Sequence, residues 1–265
     1  MNKQPLIYAN YHTHTVRCNH ASGSEREYVE EAIAAGLKVL GFADHSPYIF
    51  QGDYYSSFRM RPQELSSYVG ELQALKKEYE KEIEIHIGLE AEYYPDVFED
   101  YKELIRDSGV EYLILGQHYA GKEPSKRYSG RADDDEERLH LYVDSVLEGA
   151  RSGFYSYIAH PDILNFTGDY RLFISEMDRL VEGIVKEDLP LEMNILGLRE
   201  GRHYPREDFL ALVSKHGGKM IVGCDAHRPQ DVYDEPTLKK AFELLEKYGI
   251  ERTEQVDIHR LERLL

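Results

Sequence analysis

Residues 83–95 read IEIHIGLEAEYYP. A strand-like apolar run ends there on an acid, Glu90. Burying a carboxylate without a partner is costly, so an acid in that place needs positive charge beside it. Its two oxygens can bridge two cations about 3.5–4 Å apart, the separation used in cooperative metal hydrolysis. Glu92 falls on the same side by the two-residue period of a strand and is a candidate for supporting a ligand from behind.

Six other short runs rich in Ile, Val, Leu and Tyr share that plan: LIYANY at 6–11, VLGFAD at 39–44, YLILGQ at 112–117, YSYIA at 155–159, LPLEMN at 189–194 and MIVGCD at 220–225. Their continuous apolarity suits parallel strands buried on both faces. Amphipathic stretches separate them, at 24–36, 62–80, 98–109, 135–153, 170–188, 206–218 and 236–249. The first opens with Ser24 and carries Glu27 three residues on, the pattern of a capping box, and Gly36 supplies a stop. Strand and helix thus alternate seven times with no linker rich in Gly, Pro or Ser. This predicts one α/β domain over 1–265, a distorted seven-stranded TIM-like barrel. Longer connections at 46–61, 119–134 and 161–169 follow strands on one face, where barrels carry substrate selection. An open doubly wound sheet competes, but it gathers its site at a single switch point. Here ligand-type side chains follow every strand.

Those side chains are the functional signal. His12 and His14 stand two apart at a strand end and point the same way. His20 lies in CNHASG, His45 in ADHSP, His118 in GQHY and His160 in AHPD, and CDAH supplies Asp225 and His227. Seven of the 12 histidines therefore sit at equivalent strand ends. One such histidine is ordinarily a structural hydrogen-bonding group; seven together predict a multinuclear metal site, with zinc, manganese and iron all accepting these donors. Asp44, Asp162 and Asn194 could orient ligating imidazoles or a water.

Bulk composition narrows the partners. With 32 Lys and Arg against 49 Asp and Glu, the formal net charge is -17. Such a field repels nucleic acid and anionic membrane, and it repels a phosphorylated substrate unless bound cations reverse the sign locally. No apolar run reaches the roughly 20 residues that span a bilayer. The N-terminal stretch has no signal-peptide pattern, so a cytoplasmic protein is expected. Cys18 and Cys224 make no disulfide scaffold.

HTHT, CNHASG, ADHSP, GLEAEY, GQHY, AHPD and CDAH follow the order found in the polymerase-and-histidinol-phosphatase (PHP) family of metal hydrolases, which this chain resembles over nearly its whole length. Within that family LEMNILGLREGRHYP at 191–205 is similar to the monofunctional bacterial histidinol-phosphate phosphatases. The resemblance implies a distorted seven-stranded barrel and up to three metal ions. Carried over by position, His12, His14, Glu90 and Asp225 would hold one ion. Glu90, His118 and His160 would hold a second. His20, His45 and His227 would hold a third, with Asp225 shared. The implied reaction is hydrolysis of a small phosphomonoester, L-histidinol phosphate, by a metal-activated hydroxide.

Arg199 is the expected phosphate clamp, since a guanidinium matches two phosphate oxygens. Arg17, Arg127 and Arg228 are alternatives on rim loops. Glu92, Asp162, Tyr93, Tyr119 and His203 are candidates for the substrate's amine and imidazole. Asp162, a liganding histidine or a water could protonate the leaving alkoxide. Two competing functions stay open: a phosphoesterase for another small monoester or a nucleotide, and a noncatalytic metal-binding module.

Overall fold

The apolar runs become parallel strands in the computed structural model, which describes residues 4–121, 123 and 127–265. They are β1 (Ala9–Asn10), β2 (Val39–His45), β3 (Glu84–Ala91), β4 (Tyr112–Leu115), β5 (Tyr155–Ile158), β6 (Leu191–Asn194) and β7 (Lys219–Gly223). Each pairs in parallel with its successor. An eighth strand, β8 (Glu251–Thr253), adds to the far side of β7. The expected count of seven is therefore corrected to eight. The reason is local: Glu-Arg-Thr is polar and only partly buried, so it carries no apolar run by which a strand could be read.

Strand order runs from first to eighth without reversal, which removes the doubly wound alternative. The sheet curls until its ends approach. Thr13, just past β1, makes a parallel bridge to Ala226, just past β7. The amide of His14 donates to the Ala226 carbonyl at 2.9 Å, and the Ala226 amide to the His12 carbonyl at 3.2 Å. At the other end, β8 follows β7: Arg252 reaches the Leu6 carbonyl at 3.2 Å and Glu254 accepts from the Tyr8 amide at 3.3 Å.

Helices cover the outside. In α1 (Glu25–Ala35) both halves of the Ser24–Glu27 capping box form, and Gly36 ends the helix in the left-handed region at φ 89°. Then come α2 (Leu65–Glu78), α3 (Phe98–Ile105), α4 (Glu136–Ser152), α5 (Tyr170–Lys186), α6 (Ile195–Glu200), α7 (Glu207–Lys215) and α8 (Glu235–Tyr248). The short α6 has no counterpart in the sequence reading. It starts where Asn194 ends β6 and caps the Gly197 amide at 2.8 Å.

Strand periodicity sorts the core into two layers. Leu40 and Phe42 face the helices. Val39 and Ala43 face inward with Ala9, Tyr11, Tyr112, Ile114, Tyr157 and Ile221, and Val256 and Ile258 from the C-terminal segment pack against that inner cluster. Tyr112 fits because β2 and β3 carry glycine beside it: a Cβ on Gly88 would lie 2.4 Å from the Tyr112 ring. The phenol donates to the carbonyls of Tyr11 at 2.7 Å and Phe42 at 3.2 Å. One end of the barrel interior is thus filled with protein. The other is left to the strand ends.

Candidate metal centre

The strand ends aim their polar groups at one point. Asn10 holds the first segment in place, its side-chain oxygen accepting from the amides of His12 at 3.1 Å and Cys224 at 3.0 Å. His12 and His14 then project together, their rings 5.1 Å apart. His160 and Asp225 turn inward through positive φ, 28° and 48°. A non-glycine residue held there costs on the order of 1–3 kcal/mol, a strain that recurs at functional sites.

Glu90 is the centre of the arrangement. It is buried, and its two oxygens face different partners. Oε1 lies 2.7 Å from His160 Nε2 and 3.5 Å from His118 Nε2. Oε2 lies 3.0 Å from His45 Nδ1, 3.6 Å from His12 Nε2 and 3.7 Å from His14 Nε2. Asp225 Oδ1 stands 3.1 Å from His14 Nε2 and 3.6 Å from His12 Nε2. Farther out, His20 Nε2 and His227 Nε2 approach to 2.9 Å. Gly116 leaves the room Glu90 needs, since a Cβ there would come within 2.0 Å of Oε1.

Groups behind the ligands fix their direction. His12 Nδ1 meets Glu192 at 2.7 Å, His14 Nδ1 meets Asp44 at 3.3 Å, and His118 Nδ1 meets Glu92 at 2.9 Å. Each contact leaves Nε2 turned to the centre, the arrangement that carboxylates impose on metal-ligating histidines. Glu192 was not singled out in the sequence, although an acid inside the buried run LPLEMN is the same signal that marked Glu90. It also accepts from the His160 amide at 2.9 Å and from Asn194 at 2.8 Å.

Electrostatics reflect this crowding. Burial alone lowers the basicity of His14, but the adjacent carboxylates of Asp225 and Asp44 outweigh it and raise its pKa to about 9. Burial likewise opposes ionisation of Glu90, yet the imidazoles of His118, His12 and His45 hold its pKa well below the usual carboxylate range. His227 is driven down to about 3, first by burial and then by His14. Protons alone do not satisfy the cluster. His12 Nε2, His14 Nε2, His45 Nδ1 and Glu90 Oε2 are buried without a hydrogen-bond partner. Each such atom costs about 1–3 kcal/mol. Groups such as His12, His14 and Glu90, or His12, His160 and Asp225, bring their ligand atoms within 4.8 Å of one another. The donor set, imidazole nitrogens with carboxylate oxygens, fits transition-metal ions.

Glu90, Asp225 and five of the clustered histidines line a cavity of about 790 Å³. Of the expected substrate contacts, Arg199, Arg228 and Tyr119 line it. Asp231 pairs with both arginines, at 3.2 Å from Arg199 and 3.0 Å from Arg228, and both terminal nitrogens of Arg199 lack a hydrogen-bond acceptor. Arg17, Arg127, Asp162 and His203 are not among the described residues lining the cavity, which corrects their expected placement. Arg17 is held by Glu25 and by Glu71, the latter at 2.8 Å. Arg127 pairs with Asp133 at 3.0 Å on the exterior. His203 turns to the Ile163 carbonyl at 2.8 Å. Asp162 accepts from the Arg206 amide at 2.6 Å, and burial pushes its pKa up to about 6. Phe58, Tyr128, Arg202 and Tyr204 also line the cavity. Sequence reasoning missed them because loop aromatics and arginines carry no spacing signal.

Comparison with known proteins follows the same outline. Residues 10–195 match the model of the PHP domain. A probable histidinol-phosphatase of Deinococcus radiodurans is 30% identical over 227 residues, which cover 83% of this chain and 86% of that protein. The histidinol-phosphatase of Bacillus subtilis is 27% identical, with 83% of this chain and 94% of that one covered. Among solved structures, the histidinol phosphate phosphatase of Lactococcus lactis, complexed with zinc, L-histidinol and phosphate, superimposes with a TM-score of 0.73 at 20% identity, covering 94% of this chain and 98% of its own.

Proposed function

The chain belongs to the PHP domain family, and on that premise we propose that it is a metal-dependent phosphatase hydrolysing L-histidinol phosphate to L-histidinol and phosphate. Relatives named for that activity support the substrate. The observation that carries the reaction class is Glu90, whose two oxygens face separate sets of imidazoles. A carboxylate so placed would hold two ions, one on each oxygen. We assign His12, His14, Glu90 and Asp225 to one ion, Glu90, His118 and His160 to a second, and His20, His45 and His227 to a third. Zinc, manganese and iron all suit these donors.

Divalent ions in such a site polarise the phosphoryl group and bring the acidity of water near neutrality. The protein's own groups do the rest. Arg199 presents its planar fork to the phosphate oxygens, held in direction by Asp231. Arg228 shares that anchor and supplies further positive charge. Glu192 and Glu92 keep His12 and His118 turned inward. Phe58, Tyr119, Tyr128 and Tyr204 wall the cavity and exclude water from an ester small enough to enter. Residues 1–265 act as one catalytic unit, and we place it in the cytoplasm; no helix among the described residues is long and apolar enough to cross a membrane.

Metal analysis and steady-state kinetics on one anaerobic preparation test the reading, with L-histidinol phosphate compared against other monoesters and nucleotides. The highest kcat/KM for L-histidinol phosphate, lost on chelation, is expected. A nucleotide or another monoester preferred by tenfold would replace the substrate, and full turnover without ions would remove the mechanism.

A further inference from the structure

Arg59 is the largest fully buried side chain of the protein's described residues, 1% exposed. It sits in the loop after β2, near the metal centre but outside its ligand set. Its guanidinium donates to Glu92 at 2.5 Å and to Glu123 at 2.7 Å and 3.1 Å. A third arm meets the Ser46 carbonyl at 3.3 Å. The rings of Phe58 and Tyr48 lie 4.4 Å and 5.1 Å from its central carbon. Burying a guanidinium is expensive, and breaking such a pair leaves an uncompensated charge.

The two carboxylates lead to different places. Glu92 Oε1, the oxygen that takes the Arg59 hydrogen bond, also meets His118 Nδ1 at 2.9 Å. Glu123 belongs to the connection after β4, where it also accepts from Tyr54 of the first loop at 2.9 Å. Phe58, next to Arg59, packs its ring 5.0 Å from His45, 5.9 Å from His118 and 5.8 Å from Tyr119. One side chain therefore touches the carboxylate behind a metal-facing histidine and also both loops that wall the cavity.

We propose that Arg59 is a positioning residue that couples the metal centre to the cavity mouth: through Glu92 it sets the orientation and tautomer of His118, and through Glu123 it fastens the two wall loops together. The physical requirement is reciprocal. If ion binding at Glu90, His118 and His160 favours the fastened loops, fastened loops favour that ion by the same factor. The inference rests on the metal-hydrolase reading, but its readouts are ion affinity and amide exchange. A protein with this coupling and no phosphatase activity would sink that reading and leave this one standing.

The decisive experiment is hydrogen exchange on the whole chain, freed of ions and then titrated with zinc. In the unaltered protein, filling the centre should slow exchange over residues 47–61 by tenfold or more. No change there would overturn the proposal, and this arm requires no variant to fold. In Arg59→Met the slowing should disappear. Chelator-competition titration should show one ion bound about 10–100-fold more weakly, with the remaining ions within twofold of their original affinity. Glu92→Gln, which keeps the shape and drops the charge, should weaken the same ion. Nitrogen-15 spectra of the zinc form should show loss of the single His118 tautomer in both variants. A folded Arg59→Met that retains every ion affinity and the slowed exchange would also overturn the proposal.

Discussion

The two ends of the barrel interior both bury polar atoms and treat them differently. At the closed end, the Tyr112 hydroxyl finds the Tyr11 and Phe42 carbonyls, and glycine at position 88 makes room for its ring. At the open end, four ligand atoms of His12, His14, His45 and Glu90 are buried with no hydrogen-bond partner. Polar atoms satisfied by the chain itself make a foundation. Polar atoms that the chain gathers and leaves unsatisfied describe the shape of something else, because burying them otherwise costs stability. A site can be recognised by that contrast before any ion is seen.

The contrast can be broken first at Glu90. Glu90→Gln removes the anion shared by two groups of imidazoles and should lower kcat/KM on the order of 10³-fold, since metal charge stabilisation is worth several kcal/mol. Atomic absorption should show lost ions while far-ultraviolet dichroism stays native; unchanged turnover and metal content would reject the bridging role. Glu192→Gln acts one step behind. It should weaken metal binding about 10–100-fold, measured by chelator competition.

Changes at the closed end should do the reverse, lowering stability without touching the ions. Gly88→Ala presses a Cβ into the Tyr112 ring and should cost about 1–3 kcal/mol. Calorimetry should register a melting point lower by about 2–4 °C for each kcal/mol. Equal loss of metal affinity in this variant would show that the two ends are not independent. Tyr112→Phe removes the one hydroxyl proton that the Tyr11 and Phe42 carbonyls share and should cost about 1 kcal/mol in urea titration.

The smallest effect concerns Glu111, also at the closed end. It is half-buried; hydrogen bonds to His86 and Lys76 overcome the burial effect and lower its pKa to about 2. A carboxylate lowered in the folded state stabilises above its unfolded value, near 4.5, and loses that contribution as pH falls toward 2. Screening by solvent limits the amount to under about 1 kcal/mol. Glu111→Gln should flatten the stability profile between those two pH values; an unaltered slope would deny the contribution.

What was legible in the sequence follows the same division. Strand ends announced themselves, because an acid or a histidine closing an apolar run is rare and its register fixes the direction it points. His12, His14, Glu90 and Asp225 were read that way, and the structure brings them together. The capping box at Ser24 was equally local. Loops gave no such handle. Arg17 and Arg127 looked like rim cations but are taken up by neighbouring acids, a choice set by tertiary contacts that no spacing encodes. Glu192 carries the same signal as Glu90, an acid inside an apolar run, but its place behind His12 depends on a partner 180 positions away, which the run itself does not encode. The eighth strand was hidden because a polar three-residue edge needs only backbone pairing, and backbone pairing leaves no mark on composition.

The bridge from Thr13 to Ala226 joins parts of the chain separated by most of the fold. His12 and His14 precede α1, while Asp225 and His227 follow α7 and β7. A folding intermediate in which β7 has not yet joined the sheet therefore holds only part of the cluster. Completion of the cluster is in that sense a report that the two margins of the curled sheet have met.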